Sequence, residues 1–405
     1  MIQRTPIFLS AAVLLSSIVS GDASMHSDRA QQRGPEATAE GAAPADYVRF
    51  KMARVMDNSG FGQPVEALRL LVPADWKVES FVRWKQDRLG CLFMLVDLGL
   101  RVTAPDGITA LEAFPSYYWQ WYDDPVNRQM LQQQAGMGAS RPCDIAPITS
   151  PTEYLKGKVV RDYRRGAQVV AAEPLPEVAR AFNASLQPTI QQYRRAGVQL
   201  DMHGDAARIR LNYPVNGQPA EEWIVAVIQY TKQMQQSGSA AYQGTIGQAP
   251  AYGAYATYQF ATRAPRGKLE STERLFTTML SSLRANPQWT AAVQQVIAGM
   301  SNTTRQGEMD RARIWSQAQR EIGDMQREGY NAQQQSQTRI AEAWSQTTRG
   351  VETYVDPSSH ERVDLSSGYR GAWSNGLGGY ILSDDPNFDP GHIQGNWREM
   401  QHQQR

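Results

Sequence analysis

The sequence predicts an α+β protein: an antiparallel sheet with helices packed on it, followed by a long polar helix and a small C-terminal β-hairpin module. The hydrophobic period is strand-like before residue 115, helix-like over 150–197 and strand-like again after 198. After residue 290, Gln, Arg and Glu largely replace apolar residues. We therefore expect a globular domain over 46–290, a helical spacer over 291–349 and a β-rich tail over 350–405.

The first block of the globular domain is rich in predicted strands. Residues 47–56 alternate like a half-buried strand, and the continuous apolar run 89–96 is typical of an interior strand. Pro105-Asp106-Gly107 lies between two further apolar segments, which indicates a hairpin. The remaining strands of this block are predicted at 67–72, 77–85, 100–104 and 108–114.

The middle of the domain mixes helices and strands. Helices are predicted at 152–165 and 176–196, and we expect Pro188 to kink the second helix or restart it. Asn216-Gly217 supplies the positive φ angles of a tight hairpin between two strands. The strands are predicted at 168–172, 198–202, 207–213, 222–232 and 252–262, and an amphipathic helix at 268–284 closes the domain.

The last two segments differ from the domain in composition. Residues 291–349 have sparse apolar residues, so we expect one or two long, mostly solvated helices. In the tail, two hairpins are predicted, and hairpins of this size are marginally stable alone, so the tail should dock on another part of the protein. They pair 351–355 with 361–365 and 369–374 with 379–383.

The N-terminus has the features of a bacterial signal peptide. Arg4 precedes an uncharged stretch from Thr5 to Gly21, and small residues then cluster. We expect the signal peptide to span residues 1–24, with cleavage after Gly21, Ala23 or Ser24. The apolar stretch is shorter than the ~20 residues that a membrane-spanning helix needs. Residues 25–45 should form a disordered linker, and the mature protein should be periplasmic or secreted, with no stable membrane insertion.

The chain has two cysteines, Cys91 and Cys143. An even number of cysteines in an exported protein favours a disulfide. The alternative is two unrelated thiols, with Cys91 buried in the apolar run that follows it.

The charge balance and the missing motifs exclude several functions. The 41 basic and 40 acidic residues give a net charge of +1, so we expect no nucleic-acid partner. Phosphate-binding, dinucleotide-binding, zinc-protease and nucleophile-elbow motifs are missing from the sequence, so we predict no cofactor and no catalytic residue. A hydrolase using two carboxylates stays open, and Glu221-Glu222 is a weak candidate because neighbours on a strand point to opposite faces.

One segment is the main candidate site. Six aromatic residues occur among the nine residues 114–122, whereas aromatic residues make up 9 % of the chain. Flat rings next to carboxylates are suited to binding a sugar or a peptide, although the same rings can fill a core or cover the disulfide loop. The candidate ligand-binding or partner-binding residues are Tyr117, Tyr118, Trp119, Trp121, Tyr122, Asp123 and Asp124.

Two smaller constellations favour structural roles. His203 is the one histidine in the main globular region, but Asp201 and Asp205 flank Gly204 as if ending a strand at a turn. Residues 385–389 have the alternating oxygen ligands that begin a calcium loop. Pro390 then occupies the place of the required glycine, so we predict turns and no metal.

Two segments of the chain resemble known families. Leu71 to Trp76, the strands after it, and the helix from Glu273 to Arg284 with Asn286-Pro287-Gln288-Trp289 resemble the PsbP-like α/β/α sandwich. This resemblance covers short pieces of residues 46–290 and implies a non-catalytic, exported assembly or binding factor. The stretch from Trp373 to Pro390 is similar to a tail of uncharacterised exported bacterial proteins. Neither resemblance assigns a functional residue.

These observations predict a non-catalytic exported protein that binds a protein or glycan in the cell envelope or the extracellular space. The alternative is an exported hydrolase with a carboxylate pair near residues 117–124.

Overall fold

The structure is a computed structural model, and it describes residues 47–137, 141–195, 197–303 and 351–402. The predicted signal peptide, the linker over 25–45 and residues 304–349 of the predicted spacer lie outside the described residues. The strands are β1 (Tyr47–Asp57), β2 (Val65–Pro73), β3 (Lys77–Trp84), β4 (Val96–Thr103), β5 (Ala110–Ala113), β6 (Tyr117–Tyr122), β7 (Asp144–Ile145), β8 (Gln168–Pro174), β9 (Asp201–Val215), β10 (Gln218–Gln236), β11 (Gln248–Pro265), β12 (Arg284–Ala285), β13 (Val351–Val355), β14 (Arg362–Ser366), β15 (Gly371–Ser374), β16 (Gly379–Ser383), β17 (Arg398–Glu399) and β18 (Gln401–His402). The α-helices are α1 (Pro125–Met137), α2 (Pro151–Tyr154), α3 (Val160–Tyr163), α4 (Pro176–Arg195), α5 (Gly238–Tyr242), α6 (Glu273–Ser281) and α7 (Pro287–Thr303).

The strands form three sheets. The central sheet has the order β3-β4-β5-β11-β10-β9-β8, and β6 also pairs with β11. The terminal sheet has the order β12-β2-β1-β16-β15-β17, and the small sheet has the order β14-β13-β18. All strand pairs are antiparallel except the short pair of β6 with β7. Antiparallel sheets combined with helices confirm the predicted α+β class.

Helices cover both faces of the central sheet. On one face, Phe182 and Leu186 of α4 pack against Val225 and Val227 of β10. On the other face, α2, the π-helical turn Leu155–Val159 and α3 form one continuous helical segment. Its buried residues pack with Ile209, Ile224 and Ile228 of the sheet. The residues of β10 therefore alternate between two buried layers, as expected for a strand inside a sheet with both faces covered.

The β9–β10 hairpin follows from its turn residues. Asn216 and Gly217 have φ angles of 51° and 78°, and Val215 pairs with Gln218 across the turn. Positive φ at both central positions matches the right-handed twist of the flanking strands, which confirms the predicted Asn-Gly hairpin.

Strands from the two ends of the described chain lie together in the terminal sheet. β16 pairs with β1, with Phe50 opposite Tyr380. Both side chains belong to a core that also contains Phe276 and Met279 of α6 and Leu365 of β14. The tail strands therefore bury their apolar side chains against the N-terminal strands rather than against each other alone.

Two of the predicted elements are wrong. The run 89–96 is not an interior strand: Leu92–Met94 is a 3₁₀ turn, and β4 begins at Val96. A short apolar run alone does not distinguish a buried strand from a buried turn, and here the disulfide at Cys91 holds the turn in the core. Asp201 and Asp205 do not flank a turn, because β9 runs unbroken through Gly204.

Two further findings concern the helices. Pro188 lies inside α4, which continues from Pro176 to Arg195. Among the described residues, no helix is both long enough and apolar enough to span a membrane.

Candidate binding surface at the end of the central hairpin

The aromatic segment forms β6, and its side chains alternate between the two faces of the central sheet. Tyr117 to Tyr122 pair with residues 251–256 of β11. Tyr118, Trp119, Tyr122 and Asp124 are buried, whereas Asp123 is exposed. Tyr117 and Trp121 are half-buried. The seven predicted site residues therefore have different environments and do not form one surface.

Tyr117 and Trp119 belong to the core beneath α2. The Trp119 and Tyr154 rings are stacked with centroids 5.1 Å apart, and Tyr117 stacks on Trp119 at 5.6 Å. The Trp119 indole N–H donates to the Pro147 carbonyl at 3.3 Å, and the Tyr117 hydroxyl donates to Asp144 at 2.7 Å. Burial, together with Asp144, raises the pKa of Tyr117 well above its usual value. These rings contribute to the core rather than to an open surface.

Tyr118 points to the opposite face and covers the disulfide. Cys91 and Cys143 form a disulfide with their Cα atoms 4.6 Å apart, which confirms the predicted bridge. Tyr118 lies in the same apolar cluster, and its ring stacks on Phe93 at 4.3 Å. The sequence left open whether these rings bind a ligand or pack inside the protein. Tyr118 and Trp119 pack inside the protein.

Asp123 is exposed, and Trp121 is half-buried and lies outside the apolar clusters of the core. Trp121 lies directly opposite Tyr252 of β11, which in turn lies opposite Lys232 of β10. Directly opposed residues share one face of a sheet, so these three side chains form a row. The Arg128 guanidinium lies 4.5 Å from the Trp121 ring centroid, and the Tyr252 hydroxyl donates to Asp123 at 3.1 Å.

Asp124 links α1 to the turn of the β10–β11 hairpin. Its carboxylate caps α1 by accepting from the backbone N–H groups of Val126 and Asn127 at 2.9 and 3.0 Å. It also accepts from the Ser237 hydroxyl and from the backbone N–H and the hydroxyl of Ser239. Burial alone would raise the pKa of Asp124, but these hydrogen bonds outweigh burial and hold it well below the usual range. Both carboxylate oxygens are engaged, so Asp124 is unsuited to proton transfer.

The connection between β10 and β11, which Asp124 binds, carries two exposed hydrophobic residues. We call residues 237–247, which connect β10 to β11 and include α5, the hairpin tip. The Tyr242 side chain is 88 % exposed and Ile246 is 99 % exposed. Asn127 holds the same region in place: its side-chain amide donates to the Gln236 carbonyl at 3.0 Å and accepts from the Gly238 N–H at 3.1 Å. Hydrogen bonds therefore hold the tip against α1, while the Tyr242 and Ile246 side chains are exposed to solvent.

The hairpin tip was not among the sites predicted from the sequence. The sequence does contain one feature that distinguishes this region: no charged residue occurs between Lys232 and Arg263. A Gly/Ser/Gln-rich connection is typical of an ordinary loop, and only the structure shows that Tyr242 and Ile246 are not packed against the body of the protein.

The Glu221-Glu222 pair is engaged in ion pairs on opposite faces of the sheet. Glu222 binds Arg164 through two hydrogen bonds of 2.7 and 2.8 Å, and Glu221 binds Arg210. The Arg164 guanidinium also donates to Glu112 at 2.6 Å. Because the two carboxylates lie on opposite faces of the sheet and bind different arginines, they cannot act together in catalysis.

The other predicted constellations are structural. His203 is exposed and stacks on Tyr230 at 5.2 Å. Asp385 and Asp389 accept hydrogen bonds from the backbone N–H groups of Asn387 and Gly391, which makes turns. Among the described residues, no group of three or more His, Cys, Asp or Glu side chains is arranged to hold a metal ion.

Comparison with protein-family models, with curated proteins and with solved structures finds no match to this chain.

We expect Asp124→Asn to lower the free energy of unfolding by about 2 kcal/mol, because hydrogen bonds to a charged acceptor typically contribute ~1.5–3 kcal/mol each. The effect should depend on pH. Since the pKa of Asp124 is lower in the folded than in the unfolded protein, its stabilisation is complete well above the ordinary aspartate pKa of ~3.9 and declines as the pH falls below about 5. Urea unfolding between pH 3 and pH 7 measures both effects.

Asp123→Asn is the matched control, because its carboxylate is exposed and contacts only the Tyr252 hydroxyl among the hydrogen bonds described. We expect it to change the stability by less than about 0.5 kcal/mol. Equal losses in the two variants would contradict the role assigned to Asp124.

Proposed function

We propose that this chain is an exported, non-catalytic binding protein of the cell envelope or the extracellular space, and that it engages a protein partner through the hairpin tip. The observation that carries the proposal is the exposure of Tyr242 and Ile246 on a tip fixed by Asp124. Tyrosine is among the residue types that are enriched where a few side chains dominate the binding energy of a protein interface. No residue of the tip carries a charge, which favours an apolar pocket over a charged one.

Export is supported by two observations. The N-terminal sequence has the order of a signal peptide, and the Cys91–Cys143 disulfide is typical of proteins outside the cytoplasm. The PsbP-like relationship, the long polar helix over 291–349 and the C-terminal β-hairpin module stay predictions.

A carboxylate-pair hydrolase has less support. Such an enzyme needs two carboxyl groups that face one cleft, one of them able to donate a proton. Asp124 is buried and ionised by its five hydrogen-bond donors, whereas Asp123 is exposed beside it. The geometry near residues 117–124 therefore favours binding over hydrolysis.

The proposal predicts that Tyr242→Ser/Ile246→Ser strongly weakens partner binding. The tagged protein would be cross-linked in its native envelope, the captured partner identified by mass spectrometry, and its affinity then measured with purified components. Burying each side chain at an interface contributes ~1.5–3 kcal/mol, so we expect the double variant to bind at least about 100-fold more weakly. Folding should be unaffected, because both side chains are exposed.

Leu377→Ser is the matched control. Leu377 is 90 % exposed but lies in the turn between β15 and β16, so its loss removes a similar apolar group away from the tip. The control should bind like the unaltered protein. Undiminished binding by the tip variant, or recovery of the unaltered protein as a monomer without any partner, would refute the proposal.

A further inference from the structure

The two outer strands of the central sheet differ in how their free edges are protected. β3 begins the strand order and β8 ends it, and within the described residues each pairs with one strand, β4 or β9. A free edge exposes unpaired backbone N–H and C=O groups, and proteins use charged side chains to keep such an edge from pairing with another chain. β3 carries Lys77, Glu79 and Arg83, whereas Glu173 is the one charged residue of β8. β8 is therefore the less protected edge.

The free edge of β8 presents uncharged side chains to solvent. Val170 is 44 % exposed, and Ala172 is also exposed. Glu173 forms an ion pair of 2.8 Å with Arg208 of the neighbouring strand, so its charge is balanced within the copy. Residues 169–172 therefore contain no charge that would oppose pairing with a second strand.

A β-bulge at Val170 determines which way the side chains of β8 point. Val169 lies opposite Leu211 and Ala172 lies opposite Ile209, and both partners belong to the core beneath α2. Directly opposed residues share a face, so Val169 and Ala172 point to the α2 side. Residues three apart share a face here because Val170 is the extra residue between them.

Ala171 and Glu173 point to the α4 side. Glu173 lies opposite Arg208, which lies in turn opposite Val225 in the core beneath α4. Ala171 is two residues earlier and so shares this face, and Val170 beside it opposes the same residue of β9. Around the bulge, the order of faces is therefore the same in both directions along β8.

The backbone of Ala172 faces the free edge. The Leu175 N–H donates to the Ala206 carbonyl at 2.9 Å, so Leu175 points its backbone groups to β9. Backbone direction alternates along an antiparallel strand, so Ala172, three residues earlier, points away from β9. Because the two residues of the bulge together oppose one residue of β9, the next residue to point away is Val169.

We propose that β8 pairs antiparallel with β8 of a second copy of this chain, across a two-fold axis between Val170 and Ala171. In this register Val169 lies opposite Ala172 of the second copy, so the outward N–H and C=O groups of both residues pair. All opposed side chains share a face, whereas a shift by one residue would oppose side chains that point to different faces.

The ends of the strand are complementary in the same register. Gln168 lies opposite Glu173 of the second copy, so its amide group can donate to that carboxylate. Because the axis is two-fold, one such pair forms at each end of the paired segment. The pairing joins the two central sheets into one continuous sheet. It involves no residue of the hairpin tip and does not depend on the function proposed for the tip.

The oligomeric state of the full chain tests the proposal, and sedimentation-velocity ultracentrifugation measures it. The unaltered protein should be a dimer at tens of micromolar. Val170→Lys should weaken dimerisation at least about tenfold, because it brings two like charges together across the axis. Phe81→Lys is the matched control: Phe81 is 41 % exposed on β3, the other outer strand, and its replacement should leave the dimer intact.

Two further variants test the register. Ala172→Pro removes an outward N–H without removing a bond to β9, so it should weaken dimerisation about tenfold and leave the melting temperature nearly unchanged. Val170→Cys should form a disulfide between the copies under oxidising conditions. The two Cα atoms would be about 6 Å apart, and disulfide-bonded cysteines have Cα atoms ~4.4–6.8 Å apart. The two native cysteines do not interfere, since they are bonded to each other.

Three results would each overturn the proposal. The first is a monomer at these concentrations. The second is a dimer that both Val170→Lys and Ala172→Pro leave intact. The third is a folded Phe81→Lys variant that is monomeric, because the interface would then lie on β3.

Discussion

Replacing Arg164 by methionine should lower the free energy of unfolding by about 3–5 kcal/mol, because it leaves a buried carboxylate without its counter-charge. The Glu222 side chain is 1 % exposed, and Arg164 supplies two of its hydrogen bonds. Burial alone would lower the pKa of the Arg164 guanidinium, but Glu222 and Glu112 more than reverse this effect. Chemical unfolding of both proteins at neutral pH measures the loss.

Arg161→Met provides the comparison for this experiment. Arg161 lies three residues earlier, is 67 % exposed and pairs with Asp162, so its loss should cost at most about 1 kcal/mol. The double variant Arg164→Met/Glu222→Gln should be more stable than Arg164→Met, because it contains no unpaired buried charge. A cost below about 1 kcal/mol for Arg164→Met would contradict the buried ion pair.

Replacing both Cys91 and Cys143 by alanine should lower the free energy of unfolding by about 4 kcal/mol. The bridge closes a loop with a sequence separation of 52 residues, and the chain-entropy model gives this magnitude for a loop of that length. Cys91 is 1 % exposed, so alanine is preferred to serine because it does not bury a hydroxyl group. Urea unfolding of the two proteins under oxidising conditions gives the difference.

Reduction of the unaltered protein supplies an independent control. Unfolding in the presence of a thiol reductant should shift the unaltered protein towards the double alanine variant and leave the variant unchanged. If the reductant and the substitutions each change the stability by less than about 1 kcal/mol, the loop is not constrained in the way the structure indicates.

Much of the fold could be predicted because its signals are local. Asn216-Gly217 predicts the β9–β10 hairpin since few residues adopt positive φ at two successive positions. The periodic segment 176–196 corresponds to α4, and its apolar side lies on the sheet. The strand predicted at 89–96 is wrong because the burial of this run comes from partners that are distant in sequence. Tyr118 packs in one cluster with Met94 and the disulfide, and α7 packs in another with Leu95.

The candidate site could be predicted only in part. The sequence identifies residues 117–124 as unusual, but not how they are covered: Tyr118 and Tyr122 are buried on one face of the sheet, and on the other face Trp119 lies beneath α2 whereas Trp121 is only half-buried. The residue that connects this segment to the hairpin tip is Asp124, through Ser237 and Ser239. More than a hundred residues separate these partners, so no local pattern indicates the contact.

The sequence by itself determined the α+β class, the hairpin turn at residues 216–217 and the cysteine pair, because each depends on residue type and short-range spacing. Only the tertiary structure decided which rings are core, which carboxylates are paired and which apolar side chains stay in water. Strand register sets these outcomes: the pairing of β11 with β10 and with β6 places Gln229, Tyr255 and Tyr118 on one face and the row from Trp121 to Lys232 on the other.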